Sequence, residues 1–230
     1  MKSRVKRCLL CLVLILNVSS FVWSQQQDRT ETERYLESIG MVNVLDLDPS
    51  IQVYMMYAFP NNFVGEILYT DLKQPYLHPL AAESLIQAHQ YLKEINSAYR
   101  FVIYDACRPM SVQQLMWNKV KGTSKFKYVS NPANGGGLHN YGMAVDLTIL
   151  DEHGKELPMG TAVDHLGYEA HIDQEDALVQ SGVLTAEEKR NRELLRAVMR
   201  KAGFRTITTE WWHFNRIRRP EARQFYKVIP

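Results

Sequence analysis

The sequence predicts an α+β fold, a single domain in which a mixed or antiparallel sheet is flanked by helices. Short apolar runs typical of strands are interspersed with longer amphipathic segments typical of helices, without the regular order of a βαβ fold. The chain has 230 residues, enough to bury one full core. No internal repeat, low-complexity tract or long linker interrupts the sequence, so we expect one domain.

The first 24 residues have the pattern of a secretory signal peptide. Four basic residues precede an apolar stretch from Cys8 to Val18, and Val22 and Ser24 suit the last positions before a cleavage site. An uncleaved membrane anchor has a similar pattern and is the alternative. We therefore expect residues 1–24 to be removed on export and residues 25–38 to form a polar, flexible lead-in.

Charge and cysteine content exclude two classes of protein. The signal holds four of the 27 basic residues and none of the 25 acidic ones, which leaves a formal charge of −2. A nucleic-acid-binding domain would need a basic surface, so no nucleic-acid partner is expected. Two of the three cysteines also lie in the signal. Cys107 is then alone and cannot form a disulfide within the chain.

The first half of the domain is predicted to contain two strands and a helix. Residues 42–47 (VNVLDL) and 51–57 (IQVYMMY) are short and apolar, and a turn at Asp48 separates them. Apolar residues then recur at spacings of four and three, which predicts an amphipathic helix over Leu80–Ile95.

A buried strand and a short helix follow. The β-branched and aromatic run Phe101–Ala106 predicts the strand, which Pro109 ends. Ser111 and Gln114 have the spacing of a capping pair, so the helix is expected to run to about Val120.

The second half is predicted to contain a helix with one strand before it and one strand after it. The run AVDLTIL, residues 144–150, has strand character. Thr185 and Glu188 form a capping-box pattern before an apolar helical stripe, and Gly203 ends that helix. The last strand is predicted over Thr206–Phe214.

Two of the seven histidines have neighbours that suggest chemistry. His139 precedes Asp146 by seven residues, and His213 follows Glu210 by three. The other five occupy polar or loop-like surroundings and are expected to be solvated; they are His78, His89, His153, His165 and His171.

His139, Asp146 and His213 are a suitable ligand set for catalytic zinc. Such sites use three nitrogen or carboxylate ligands and leave the fourth position to water, whose pKa falls towards about 7. Glu210 could then take a proton from that water and pass it to a leaving amine. The residues thus indicate metal-assisted hydrolysis, with one Zn²⁺ per chain in a central cleft. The alternative is a hairpin with a buried, hydrogen-bonded aspartate.

The spacing of these residues constrains the backbone. An odd separation along one regular strand would place His139 and Asp146 on opposite faces. The glycines at 135–137 and Gly142 permit a turn that brings His139 back over the strand. Glu210 and His213 have the same odd separation, so we predict a bulge or strand end near Trp211.

These patterns resemble those of a known enzyme family. The first is His-x2-Gly-x-Ala-x-Asp, from His139 to Asp146, and the second is Glu-x-x-His, from Glu210 to His213. Both are similar to the zinc D-alanyl-D-alanine dipeptidases, which include the vancomycin-resistance dipeptidase and are related to D,D-carboxypeptidases. Three other stretches fit the dipeptidase branch: YAFPNNFVGEILY (57–69), YDACRP (104–109) and MGTAVD (159–164). The similarity implies a zinc dipeptidase domain over residues 39–230.

The resemblance also implies roles for individual residues. His139, Asp146 and His213 would bind zinc, and Glu210 would be the general base. Arg108 would lie near the scissile carbonyl, where a charged guanidinium suits a developing oxyanion; a salt bridge to Asp105 is the alternative. The substrate-binding candidates are Asp164, which would hold the free ammonium, Asp105 and Tyr57. A helix cap is the alternative for Asp164.

Two positions depart from the family pattern. Gly137 stands where the family usually has a serine, which puts substrate preference in doubt. Cys107 stands where an aromatic residue is common, and we expect it to pack rather than react.

The leading hypothesis is therefore an exported enzyme that cleaves the D-Ala-D-Ala dipeptide in the periplasm. It would be secreted or membrane-tethered if the signal is uncleaved, and it would have no stable membrane insertion once the signal is removed. The alternatives are a D,D- or L,D-carboxypeptidase acting on longer stem peptides and a non-catalytic wall-binding protein.

Overall fold

The computed structural model describes residues 29–230. The predicted signal peptide and the first residues of the predicted lead-in lie outside this range. No helix within residues 29–230 combines the length and the apolar character needed to cross a membrane.

A five-stranded mixed sheet forms the centre of the fold, in the order β2-β4-β5-β7-β6. β2 runs parallel to β4, and every other neighbouring pair is antiparallel. A second, two-stranded antiparallel sheet pairs β1 with β3. The strands are β1 (Val42–Asn43), β2 (Gln52–Val53), β3 (Tyr76–Leu77), β4 (Arg100–Asp105), β5 (Ala144–Leu150), β6 (Arg205–Thr206) and β7 (His213–Asn215).

Helices cover this sheet, and the predicted α+β fold class is confirmed. The two longest helices, α3 and α6, pack against each other, and α3 also contacts β4. The helices are α1 (Glu31–Ser38), α2 (Val44–Leu47), α3 (Pro79–Ile95), α4 (Met110–Val120), α5 (Glu175–Gln180), α6 (Ala186–Lys201) and α7 (Arg219–Phe225). Thr185 and Glu188 form the predicted capping box of α6.

β5 is the central strand and is almost entirely buried. Its alternation places Val145, Leu147 and Ile149 on one face, within the hydrophobic core. Asp146 and Thr148 therefore point to the opposite face, as the sequence predicts. This arrangement puts a carboxylate in the middle of the sheet without placing it among apolar side chains.

The prediction of a first strand over residues 42–47 is mostly wrong, because only Val42–Asn43 forms a strand. The Asn43 side chain accepts a hydrogen bond from the Leu45 N–H and caps the short helix α2, which follows at once. The second predicted strand is also shorter than expected: β2 is followed by a single 3₁₀ turn over Met56–Ala58.

The predicted last strand is divided into β6 and β7. The two pair with each other in antiparallel register, so the chain between them must reverse direction and cannot be extended. The predicted strand end near Trp211 is confirmed, because β7 begins at His213. Glu210 therefore lies in the turn that enters β7.

Three smaller predictions are also wrong. Helix α4 begins at Met110 directly after Pro109, so Ser111 lies inside the helix and does not cap it. His89 is fully buried, with its Nδ1 2.8 Å from Asp48 Oδ2, and is not solvated. Residues 31–38 form α1 instead of a flexible lead-in, because buried Glu33 accepts hydrogen bonds from two backbone N–H groups of the 73–74 segment.

The C-terminal residues pack back against the turn that carries His139. The Ile229 N–H donates to the Asn140 carbonyl at 2.7 Å, and the Ile229 carbonyl accepts from Met110 N–H at 2.9 Å. The side chain of Ile229 is buried. The turn is thereby tied both to the start of α4 and to the end of the chain.

Gly142 provides a test of how tightly this turn is packed. It has φ +66°, and a Cβ there would lie 2.8 Å from both His78 N and Met41 Sδ. We expect Gly142→Ala to reduce the free energy of unfolding by about 2–4 kcal/mol through backbone strain and overpacking. Chemical denaturation measures this loss.

Gly154 supplies the matched control, because it has φ +74° with open space around its Cβ position. Gly154→Ala should cost about 1 kcal/mol, from backbone strain alone. Equal losses in the two variants would show that the close contacts at Gly142 are unimportant.

Candidate active site

Strand register brings three acidic or imidazole side chains into one row across the sheet. Asp146 on β5 is directly opposite His213 on β7, and on its other side it is opposite Asp105 on β4. Residues directly opposite each other on neighbouring strands point to the same face. The row therefore gathers residues that are far apart in the sequence.

His139 reaches this row from a 3₁₀ turn over Leu138–Tyr141. Glycines with positive φ lie on both sides of the turn, at Gly136 and Gly142. This confirms the predicted role of the glycines in folding His139 back over β5. The His139 Nδ1–H donates to the Ala106 carbonyl at 2.8 Å, which directs Nε2 towards the row.

The three predicted ligand side chains converge on one point. The ring nitrogens His139 Nε2 and His213 Nδ1 are 3.1 Å apart. Asp146 places Oδ1 2.9 Å from His213 Nδ1 and Oδ2 3.4 Å from His139 Nε2. Two nitrogen ligands at about 2.0–2.1 Å from a tetrahedral zinc ion would be about 3.3 Å apart, close to the observed separation.

The outer hydrogen bonds of both rings leave the facing nitrogens unprotonated in the neutral form. His139 donates from Nδ1 to Ala106, and His213 donates from Nε2 to the Asn215 side-chain oxygen at 2.9 Å. Two nitrogen lone pairs and a carboxylate then face one another, and a cation between them resolves the repulsion. Such outer partners are typical of metal-binding histidines. The residues present therefore fit a divalent metal ion.

Glu210 lies beside this cluster. Its Oε2 is 3.8 Å from His213 Nδ1, and its carboxylate forms no hydrogen bond with any residue from 29 to 230. Burial raises the pKa of Glu210 to about 7. A buried carboxylate of this kind is suited to accept and release a proton near neutral pH.

Arg108 borders the cluster on the side of β4. Its Nε donates to Asp105 Oδ2 at 3.0 Å, Nη1 donates to Gln113 Oε1 at 2.9 Å, and Nη2 is 3.9 Å from Asp146 Oδ2. Tyr69 donates its hydroxyl to the second oxygen of Asp105 at 2.6 Å. The salt bridge to Asp105, given above as the alternative for Arg108, therefore occurs, and Arg108 also lies beside the cluster.

Asp105 was predicted to bind substrate, but its side chain does not reach the cavity. Its side chain is fully buried behind Arg108 and does not line the cavity. Both of its oxygens accept hydrogen bonds from protein side chains. Its contacts are those of a residue that orients Arg108.

Asp164 and Tyr57 form a second polar group in the same cavity. The Tyr57 hydroxyl donates to Asp164 Oδ1 at 2.9 Å, and the Phe63 N–H donates to Oδ2 at 3.1 Å. Asp164 has φ +70°, the one positive φ at a non-glycine position within residues 29–230. It does not cap a helix, and burial raises its pKa to about 7. Backbone strain of this kind is concentrated at functional sites.

The three candidate ligands line one cavity of about 350 Å³, together with Glu210, Arg108, Tyr57 and Asp164. This volume is at the small end of the range for ligand pockets, about 300–1,000 Å³. Apolar side chains, including Leu138 and Trp212, form part of the wall. The cavity thus suits a small ligand with both polar and apolar groups.

Comparison with known proteins identifies the family. A sequence model described as D-ala-D-ala dipeptidase matches residues 37–230. The chain belongs to this family. The D-alanyl-D-alanine dipeptidase of Escherichia coli (strain K12) is 31% identical over 178 residues, which are 77% of this chain and 85% of that protein. The protein of the same name from Synechocystis is 27% identical over 173 residues, 62% of this chain and 70% of the relative.

A shorter match is to a third relative of the same name. The D-alanyl-D-alanine dipeptidase of Enterococcus faecium is 31% identical over 77 residues, 33% of this chain and 35% of that protein. The resemblance inferred from the sequence patterns is therefore confirmed, and the chain is a hydrolase-family member along nearly all of its described length.

The two departures from the family pattern have clear structural settings. A Cβ at Gly137 would lie 3.0 Å from Ser130 Oγ, so a hydroxyl from another segment occupies the space beside this position. Cys107 is fully buried and does not line the cavity, and burial raises the pKa of its thiol well above the ordinary value. It packs next to Gly142, as expected for a structural cysteine.

Sequence reasoning missed several residues that support the site. Gln113 holds Arg108, Asn215 orients His213, and Tyr69 holds Asp105. Only Asn215 carried a usable signal, because it lies two residues after His213 and therefore on the same face of a strand. Gln113 and Tyr69 reach the site through the tertiary fold.

We predict that His139, Asp146 and His213 bind one divalent metal ion per chain. Asp146→Ala should lower the metal content from about one ion per chain to below about a tenth, because two ligands rarely hold such an ion. Elemental analysis measures the content. A chelator should also lower the Tm of the wild-type protein, since metal binding stabilises the folded state.

His165→Ala is the control, because His165 is exposed and pairs with Glu169 away from the cluster. It should keep the wild-type metal content. Full metal content in the Asp146 variant would contradict the assignment.

Proposed function

We propose that this chain is a zinc peptidase that hydrolyses the D-Ala-D-Ala dipeptide to two D-alanines. The observation that carries the proposal is the convergence of His139, Asp146 and His213 beside Glu210 and Arg108, in one small cavity of a chain from this family. The names of the E. coli and Synechocystis relatives support the choice of substrate.

The donor set favours zinc as the resident ion. Two imidazole nitrogens and one carboxylate form a typical catalytic zinc set, in which a fourth position stays open. Zinc in such a site acts as a Lewis acid and makes water nucleophilic at neutral pH. We propose one Zn²⁺ per chain, held by His139 Nε2, His213 Nδ1 and the Asp146 carboxylate.

Glu210 moves the proton in this proposal. Its Oε2 accepts a proton from the attacking water as the new C–O bond forms at the scissile carbonyl. The same oxygen then gives the proton to the amide nitrogen as the C–N bond breaks, which releases the second D-alanine as a free amine. Its burial and its lack of a hydrogen bond within residues 29–230 support this role.

Arg108 stabilises negative charge on the carbonyl oxygen. Its guanidinium is fixed from behind by Asp105 and Gln113, so it needs little reorganisation during the reaction. A preorganised donor of this kind contributes about 3–4 kcal/mol in other acyl-transfer enzymes. Asp105 acts through Arg108 as a positioning residue.

Asp164 binds the free ammonium group of the dipeptide. Its carboxylate is held by Tyr57 and by the Phe63 N–H, and both Asp164 and Tyr57 line the cavity. A carboxylate at this point favours a substrate that ends there with a positive charge. A longer stem peptide, which continues with a neutral amide, would leave the carboxylate unpaired.

We also propose that the protein is exported by its first 24 residues and acts in the periplasm. The domain of residues 39–230 would then recover D-alanine from fragments of the cell wall. The pattern of the first residues supports export.

The direct test is to incubate the zinc-loaded protein with D-Ala-D-Ala and measure free D-alanine. Glu210→Gln should lower kcat by about 10²–10⁴-fold, because the isosteric amide cannot accept the proton. Its metal content should stay near one ion per chain. Glu152→Gln, at an exposed position, should behave like the wild type.

Failure of the wild-type protein to release D-alanine at full metal content would defeat the proposal. Binding to peptidoglycan without any cleavage would then favour the wall-binding alternative.

Asp164→Asn tests recognition of the ammonium group. Asparagine tolerates positive φ and keeps the shape of the side chain, so it removes mainly the charge. We expect kcat/KM for the dipeptide to fall about 10–100-fold, in proportion to a lost charge-assisted hydrogen bond. Asp173→Asn, on an exposed loop, is the control.

A stem pentapeptide serves as the second substrate in this experiment. The wild-type protein should cleave it far more slowly than the dipeptide. Equal cleavage of the two would support the carboxypeptidase alternative.

A further inference from the structure

Three arginines that the proposed reaction does not use line the same cavity. They are Arg205, Arg218 and Arg219, and all three are exposed. None of them forms a salt bridge with any residue from 29 to 230. The cavity therefore has a positively charged rim as well as the carboxylates Asp164 and Glu210.

Among the described residues, Arg219 is the member of this group whose side chain hydrogen-bonds to the protein. Its Nη2 donates to Ser130 Oγ at 2.9 Å, the one hydrogen bond that its side chain makes within the described residues. The other donors of the guanidinium are thus available to a ligand. A guanidinium presents its donors in a planar fork that matches a carboxylate.

Ser130 connects this guanidinium to the catalytic groups through a chain of contacts. The Ser130 carbonyl accepts from Gln113 Nε2 at 2.7 Å, and Gln113 in turn accepts from Arg108. Ser130 Oγ also lies 3.0 Å from the Cβ position of Gly137, two residues before His139. The missing side chain at Gly137 is what allows the hydroxyl to approach this closely.

One connected wall therefore links a carboxylate to a free guanidinium. From Arg108 the wall continues to Tyr57, whose ring centroid is 5.3 Å from the Arg108 guanidinium carbon. Tyr57 donates to Asp164. Along this chain of contacts, Arg108, proposed to bind the scissile carbonyl, comes between Asp164 at one end and Ser130 with Arg219 at the other.

Arg108 has few donors left for a substrate carboxylate. Three of its five guanidinium N–H groups already donate to Asp105 or Gln113, and the proposed reaction uses the remaining side of the group for the scissile carbonyl. Within residues 29–230 the Arg219 side chain makes a single hydrogen bond, to Ser130, and it is exposed at the rim. A dipeptide carries its carboxylate at the end opposite its ammonium, and this order matches that of the wall.

We infer that Arg219, held by Ser130, binds the C-terminal carboxylate of the substrate and selects for peptides with a free C-terminus. The inference rests on the proposed function, since it assigns the other end of the same dipeptide. Arg219 is then a specificity-determining residue, and Ser130 positions it.

The test compares D-Ala-D-Ala with its C-terminal amide, which lacks the negative charge. In Arg219→Gln, we expect KM for the dipeptide to rise about tenfold or more with kcat little changed, because a charge-assisted hydrogen bond is lost. Kinetic constants for the amide should be the same in the variant and the wild type. Arg219→Lys should restore part of the affinity for the dipeptide.

Arg223→Gln is the matched control, one helical turn later on α7 and outside the cavity. It should keep wild-type constants for both substrates. Equal losses on the dipeptide and the amide in Arg219→Gln, or no loss on either, would overturn the inference while leaving the peptidase activity in place. A wild-type protein that cleaves neither compound would instead refute the proposed function.

Discussion

The site depends on the register between β5 and β7. Asp146 and His213 are 67 residues apart in the chain, and only their direct pairing across two strands brings their side chains together. A shift of one residue would turn one of them to the opposite face of the sheet. The core enforces the register, because the same shift would move Val145 and Leu147 out of the apolar layer. Fold stability and site geometry therefore have a common cause.

The site concentrates acidic groups and gives each a different environment. Asp105 is neutralised by Arg108 behind the cavity. Burial opposes ionisation of Asp146, yet the imidazoles of His139 and His213, when they are protonated in the metal-free site, hold its pKa well below the ordinary range. Burial raises the pKa values of Asp164 and Glu210 instead. The carboxylates in and behind this one cavity thus differ in their charge environment, as the different tasks proposed for them require.

The sequence predicts those parts of the structure that depend on local patterns. The capping box of α6, the periodicity of α3 and the glycine-flanked turn before β5 are all encoded within a few residues. The strand end near Trp211 also follows from spacing alone. One prediction fails because a local cap was overlooked: Asn43 starts a helix within an apolar run. Others fail where distant partners decide, as in the pairing of β6 with β7, which forces a turn. His89 and Gln113 are polar side chains whose burial does not follow from local patterns. His89 bonds to Asp48 and Gln113 bonds to Ser130, and both partners are distant in the sequence.

The packing of Ile229 against the turn at residues 138–141 has a consequence for the order of folding. The backbone of Asn140, next to His139, bonds to nearly the last residue of the chain. His213 also comes late, on a strand that needs β5 already in place. The cluster of His139, Asp146 and His213 therefore forms only after two late segments have docked, the one at 213–215 on β5 and the one at Ile229 on the 138–141 turn. Any state of the chain in which these segments are undocked holds the two histidines apart.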